Sequence, residues 1–290
     1  MLKALLKTMR PKQWAKSVFL LAALVFDRKL TNLEAILHTL AGVLVFSLVV
    51  SVVYIINDIA DLESDRKHPT KCKRPIAAGK LSIPAAWGFG AAILLISFPL
   101  AYLLSPTFAA ITGIYFIANL IYSKWIKHVV LLDIIILASF YVLRVAAGVA
   151  LIDVQRFSPW IYLFTIFLAL LMGTGKRRAE LAELAGGPSD QRKVLDGYSI
   201  HFLDQLITLA SGSTIITYSL YTFSAPNLPE NHAMMLTIPF IIYSILRYQY
   251  LLQVQETGGA PEDVVLADRP LQVSIVVWGL AVLAVFYLFQ

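Results

Sequence analysis

Asn57, Asp58, Asp61, Glu63 and Asp65 put four carboxylates and one amide within nine residues, directly after an apolar run of membrane length. Six bases follow by residue 80: Arg66, Lys67, Lys71, Lys73, Arg74 and Lys80. If the helix of the apolar run continues past Ile56, then Asn57, Asp61 and Asp65 recur at i, i+4 and i+8, with Asp58 three residues before Asp61. Groups at that spacing share a face. Like charges there repel, and a cation between them resolves the repulsion. Oxygen donors without His or Cys favour a hard ion such as Mg²⁺. Mg²⁺ keeps several waters and binds through a few carboxylates plus substrate phosphates. Asn57, Asp61 and Asp65 are therefore the expected metal ligands, and Asp58, Asp61 and Asp65 the expected catalytic acids. Lys71 and Arg74 in His68-Pro69-Thr70-Lys71-Cys72-Lys73-Arg74-Pro75 offer phosphate donors, Arg by its fork and Lys as a point charge. His68, alone before a proline, reads as a turn residue. The plainer alternative is a solvated helix end whose acids pair with neighbouring bases.

A second constellation is Gly173-Thr174-Gly175-Lys176-Arg177-Arg178-Ala179-Glu180-Leu181-Ala182-Glu183. Its glycines suit a turn or a close approach to ligand. Lys176, Glu180 and Glu183 share a helical face with Arg177 beside it, and Gly186-Gly187 ends the segment. Lys176, Arg177 and Glu180 are candidates for substrate binding; the alternative is a set of snorkelling bases at a membrane edge. Asp196, Tyr198 and Asp204 downstream are further oxygen donors. Arg10 and Lys16 flank Pro11 and Trp14 in what reads as an interfacial helix start. Tyr122 and Lys127 close one apolar run and Asp133 opens the next, which also carries Arg144. Asp133 and Arg144 fall on one helical face about 16 Å apart, too far to pair directly. Arg247 in Tyr243-x-x-x-Arg247-Tyr248 ends a late apolar run.

These residues need a scaffold, and composition names it. The 290 residues are 58% hydrophobic and 14% charged. A bilayer core about 30 Å thick takes roughly 20 helical residues to cross. Backbone groups in lipid must be satisfied internally, so the class is all-α: a polytopic membrane helical bundle. Hydropathy gives nine spans: 16–26 (short), 35–56, 83–104, 108–122, 129–151, 159–172, 202–223, 234–252 and 271–289. With the N-terminus inside, twenty of the 24 Lys and Arg fall in inner segments, giving an N-in, C-out topology. The long inner segments 57–82, 173–200 and 253–270 are where chemistry is expected. The net charge of +6 is then a topological signal, and no nucleic acid is implied. The single Cys72 excludes an internal disulfide and a cysteine metal cluster. Nothing divides the chain, so residues 1–290 are expected to form one transmembrane catalytic domain.

The motif Asn-Asp-x-x-Asp-x-x-x-Asp after the second span, closed by Arg74-Pro75, resembles the UbiA-type membrane prenyltransferase superfamily. Further segments resemble its bacterial decaprenyl-phosphate phosphoribosyltransferase branch. They are residues 10–16, 57–79, 122–127, Arg144-x-x-x-Gly148, Gly175-Lys176-Arg177-x-x-Glu180, 239–248 and 268–272. The resemblance implies an inner (plasma) membrane enzyme with its site on the cytoplasmic face. It implies Mg²⁺ as cofactor, 5-phosphoribosyl 1-diphosphate as donor and a polyprenyl phosphate as acceptor, in supply of cell-wall arabinan precursors. It also implies that Arg10 or Lys16 faces a phosphate, and that Tyr122 and Lys127 belong to the substrate site. Aromatic prenyltransferases of the superfamily generally carry a second Asp-rich motif where this chain has Lys176-Arg177-Arg178-x-Glu180. A basic segment there suits an additional phosphate group. An aromatic prenyltransferase using a polyprenyl diphosphate is the alternative, and a membrane transporter the second. Lipid chain length is unwritten in the sequence, and a homo-oligomer is left open.

Overall fold

The computed structural model describes residues 2–154, 158–184, 193–225, 228–256 and 261–288. They form twelve α-helices: α1 (Leu2–Thr8), α2 (Ala22–Phe26), α3 (Leu33–Ala60), α4 (Leu62–Lys67), α5 (Ile83–Leu104), α6 (Pro106–Lys124), α7 (Leu132–Val149), α8 (Pro159–Leu184), α9 (Ile200–Ser224), α10 (Ile238–Gln253), α11 (Pro261–Ala267) and α12 (Arg269–Leu288). Short 3₁₀ segments join them at Pro11–Leu21, Lys71–Lys73, Ile126–His128, Lys193–Gly197 and Ala233–Thr237. Among the described residues there is no strand. Contacts divide the chain into two compact units, one of residues 1–125 and 143–154, the other of 126–142 and 155–290.

Among the described residues seven helices are long and apolar enough to cross a membrane, as the all-α polytopic reading expects. The two other expected spans differ for physical reasons. The first, 16–26, is a 3₁₀ helix at Pro11–Leu21 running into α2. At about 2.0 Å per 3₁₀ residue and 1.5 Å per α residue, its sixteen residues give a helical path of about 30 Å. The seventh expected span is α9, 25 residues long but rich in hydroxyls. Thr208, Thr214, Thr217 and Ser219 return their hydroxyls to carbonyls four residues earlier, which satisfies them within the helix.

In the first unit, α3 is the core helix: 61% of its apolar window is buried, against 22% for α5 and for α6. Asn32 caps its start by accepting the Ala35 N–H. The 3₁₀ segment is tied to α3 by the Trp14 indole on Ser51 at 3.0 Å and the Ser17–Ser47 hydroxyl pair at 2.9 Å. Phe46 on α3 packs on Phe108 and Tyr115 of α6. In the second unit α8 packs along α9, and α10 packs on α9 and α12. Tyr218 of α9 hydrogen-bonds Thr237 at 2.6 Å and accepts from the Trp278 indole at 2.8 Å, and Ser244 bonds Ser274 at 2.8 Å.

One expected boundary is corrected here. The segment read as an inner loop from Gly173 is a direct continuation of α8 to Leu184. Gly173 and Gly175 make no turn; Gly175 sits under the side-chain ends of Leu252 and Tyr248 on α10. The helix continues through its charges because neighbouring helices supply carboxylates for them. Gly186 and Gly187 lie outside the described residues.

Candidate active site

The acidic run straddles a helix junction. α3 stops at Ala60 and α4 starts at Leu62, with Asp61 at φ −92° and ψ 10° between them. The hydrogen bonds nevertheless keep helical spacing: the Asp61 N–H donates to the Asn57 carbonyl at 2.9 Å and the Asp65 N–H to the Asp61 carbonyl at 2.8 Å. The i, i+4, i+8 register of Asn57, Asp61 and Asp65 therefore survives the junction.

Asp58 and Asp65 are each 2% exposed. Buried carboxylates need compensating cations, and two arginines supply them. Arg74 Nη1 donates to Asp58 Oδ1 at 3.3 Å and to Asp65 Oδ2 at 2.6 Å. Arg10 also donates to Asp58 Oδ1 and lies over the Tyr54 ring, 4.7 Å from its centroid. Arg10 holds a left-handed backbone conformation, φ 52° and ψ 62°. Strain of that kind persists where surrounding structure enforces it, and here the residue is anchored through its side chain. Glu63 points away, paired with Arg66 at 3.2 Å on the exposed side of α4. His68 closes the next turn: its Nδ1 accepts from the Thr70 and Lys71 N–H groups at 3.2 and 3.4 Å. That agrees with a turn residue and fixes the entry of Lys71. Asn57, Asp61, Lys71 and Lys16 are partly exposed in the same unit, and so is Tyr122 in the last turn of α6.

Among the described residues no three His, Cys, Asp or Glu side chains converge as a ready-made metal cage. Asp58 and Asp65 do converge, since one guanidinium nitrogen spans both. The donors are oxygens only, and the pair already holds a cation between its members. A divalent ion bound mainly by waters and substrate phosphates fits that donor set.

The second constellation is in the other unit. Arg177 and Asp133 are both fully buried. Arg177 Nε donates to Asp133 Oδ2 and Nη1 to Glu180 Oε2, each at 2.6 Å. Asp133 Oδ1 accepts from the Tyr198 hydroxyl at 2.6 Å, and the Tyr198 hydroxyl oxygen in turn accepts the Leu131 N–H at 2.7 Å. Burial, then the hydrogen bond to Asp133, pushes the Tyr198 hydroxyl above the ordinary tyrosine range, so it stays a donor. Arg178 pairs with Asp204 of α9 at 2.7 Å. Two of the three consecutive bases thus meet carboxylates inside this unit, while Lys176 is partly exposed. Lys127 sits partly exposed in the 3₁₀ turn Ile126–His128. Asp196 is exposed.

Arg144, read as too far from Asp133 for a direct pair, hydrogen-bonds the Tyr115 hydroxyl at 2.7 Å and lies over the Tyr115 ring. Arg247 forms a forked pair with Asp268, Nε to Oδ1 at 3.2 Å and Nη2 to Oδ2 at 2.7 Å. Asp268 also caps α12 by accepting the Leu271 N–H at 2.8 Å. Sequence reasoning missed that role, although an Asp two residues before a proline and an apolar run is a helix-start signal. It also missed Asp204 as the Arg178 partner, for which spacing gives no sign.

The chain matches the UbiA prenyltransferase family over residues 17–261. It is 34% identical over 278 residues to the decaprenyl-phosphate phosphoribosyltransferase of Mycobacterium tuberculosis, covering 94% of this chain and 90% of that protein. It is 32% identical over 289 residues to the protein of that name from Corynebacterium glutamicum, covering 98% and 87%. In fold it is similar to a UbiA homolog from Archaeoglobus fulgidus bound to GPP and Mg²⁺, with a TM-score of 0.74 at 21% identity over 98% of this chain and 99% of that one. The family match over most of the chain, with the acidic motif intact at the end of α3, makes this protein a member of the UbiA prenyltransferase family.

Proposed function

We propose that this protein transfers the 5-phosphoribosyl group of 5-phosphoribosyl 1-diphosphate to a polyprenyl phosphate, releasing diphosphate. The observation that carries the chemistry is the convergence of Asp58 and Asp65 on Arg74, with Arg10 on the same carboxylate. The choice of donor and acceptor rests on the relatives' named activity.

Asn57, Asp61 and Asp65 would hold Mg²⁺, directly or through water, with Asp58 beside them. When bound, the ion neutralises charge on the leaving diphosphate. Arg74 is placed to exchange its carboxylates for a donor phosphate, and Lys71 lies three residues before it. Arg10 supplies further positive charge at the same end of α3, and Lys16 does so further back along it, between Trp14 on Ser51 and Ser17 on Ser47. Tyr122 and Lys127 orient donor or acceptor. Lys176 binds a phosphate, with Arg177 and Glu180 fixing the α8 turn that carries it. The acceptor's phosphate oxygen forms the bond to the anomeric carbon as the bond to diphosphate breaks, and diphosphate leaves with the electron pair. A phosphate monoester is largely ionised at neutral pH, so no strong general base is needed. The side chains contribute positioning and stabilisation of leaving-group charge. The distribution of bases supports a cytoplasmic position for this end of α3, the side on which a soluble donor would be available.

Purified protein with Mg²⁺, labelled phosphoribosyl diphosphate and polyprenyl phosphate tests this. A lipid-linked phosphoribose is the expected product. Transfer only from a prenyl diphosphate to an aromatic ring would replace the proposal with the aromatic reading.

A further inference from the structure

Leu131 is held at φ 68°, a left-handed conformation that costs a leucine backbone energy. It lies three residues after the 3₁₀ turn Ile126–His128 that carries Lys127. Its N–H is directed at one atom, the Tyr198 hydroxyl oxygen, at 2.7 Å. The same oxygen donates to Asp133, whose other oxygen takes the Arg177 guanidinium. The neighbouring residues also touch: a Cβ on Gly197 would come within 2.4 Å of Val130 Cγ2. Tyr198 is otherwise packed among Ile134, Val194, Leu195 and Leu203, so its ring is fixed before its hydroxyl bonds anything.

We infer that Tyr198 is a positioning residue that latches the Lys127 turn to the α7–α8 charge network, and through it sets affinity for the phosphate-bearing substrate. The inference rests on the proposed role of Lys127 in the substrate site. The physical argument is that one hydroxyl serves both sides. It offers an acceptor to a strained backbone amide and a donor to a buried carboxylate. A phenylalanine would keep the ring packing and remove both bonds. The amide and Asp133 Oδ1 would lose this partner, and the strained turn would relax.

Steady-state kinetics on Tyr198→Phe, Lys127→Gln and the double variant test the latch. The expected result for Tyr198→Phe is a KM for phosphoribosyl diphosphate raised by about threefold to tenfold, the scale of the one bond that reaches the Lys127 side of the latch, Leu131 N–H to the hydroxyl, with kcat within about twofold. Lys127→Gln raises the same KM, and the double variant is no worse than Lys127→Gln alone, because the latch acts only through that turn. Additive effects, or a Tyr198→Phe loss confined to kcat, overturn the latch while leaving the role of Lys127 in place. An unchanged KM in Lys127→Gln overturns the reading of Lys127 itself. Hydrogen exchange on the wild-type protein needs no variant to fold. The Leu131 amide should exchange as slowly as the amides within α7, and rapid exchange there would overturn the latch.

Discussion

Arg177 and Asp133 form an ion pair at 2.6 Å in which neither side chain is exposed. A pair so enclosed is a poor source of net stability, because both ions lose their water, but removing one partner strands the other. Arg177 also holds Glu180, so its loss leaves two carboxylates facing one another across the space it filled. Arg177→Met should therefore destabilise the protein by about 3–5 kcal/mol, and Asp133→Asn by less, since Glu180 still balances the guanidinium. The combined change Arg177→Met with Asp133→Leu should recover part of the loss. Thermal unfolding of the three variants in detergent ranks them, and a milder loss from Arg177→Met than from Asp133→Asn would contradict the argument.

If the proposed function holds, the charges of the acidic junction serve the reaction more than the fold. Asp65→Asn keeps the side chain's shape and an oxygen for Arg74 while removing the charge a divalent ion needs. Asp61→Asn, at a partly exposed side chain, changes stability even less. Each should lower kcat by roughly 10²–10³, the scale seen when one charge-stabilising group is removed, with the unfolding temperature little changed. Full Mg²⁺-dependent turnover by either variant would remove the metal site from Asp61 and Asp65.

These two clusters differ in how far the sequence exposes them. The register of Asn57, Asp61 and Asp65 is a local property of one helix, and spacing alone recovers it through the junction at Asp61. The partners of those acids are not local: Arg10 reaches Asp58 across 48 positions, and no periodicity encodes that meeting. The second cluster misleads for the same reason. Lys176-Arg177-Arg178 reads as a basic patch after an apolar span, yet Asp133 and Asp204 lie 44 and 26 positions from the arginines they engage. With those carboxylates in place, α8 needs no loop at Gly173, which is why its expected end was twelve residues short. The first span reads short for a different reason, since its 3₁₀ segment begins with Pro11, Lys12 and Gln13, which hydropathy leaves out.

Asp268 supports a prediction about pH. Its hydrogen bonds to Arg247, and then to the Leu271 N–H, hold its carboxyl below the usual carboxylate range. A carboxylate whose folded pKa is depressed gives stability that is fully present above the unfolded value of 3.8 and lost as pH falls through the lower folded value. Asp268→Asn keeps an effective helix cap and removes only the charge. The variant should melt below wild type at pH 7, and the gap should close as pH drops beneath 3.8. A gap that persists at low pH would show the cap, not the ion pair, to be the source.

Gly148 offers a packing test in the first unit. A Cβ there would fall 2.0 Å from the Leu20 carbonyl oxygen and 2.8 Å from its carbon, both backbone atoms. At Gly175 the nearest atoms to an added Cβ are Leu252 Cδ1 at 2.7 Å and the Tyr248 hydroxyl at 3.0 Å, both at the ends of side chains. Backbone in the 3₁₀ segment is pinned by Ser17 and Trp14 on α3, so it cannot withdraw, whereas a leucine methyl can rotate away. Gly148→Ala should cost about 1–3 kcal/mol, the usual range for overpacking. Gly175→Ala should cost less; both glycines are helical, so the gain from alanine's better helix propensity is common to the two and the contact decides. Unfolding temperatures of the two variants in the same detergent decide the order. If Gly175→Ala proves the more damaging, then α8 and α10 are held more rigidly together than α7 is held to the 3₁₀ segment.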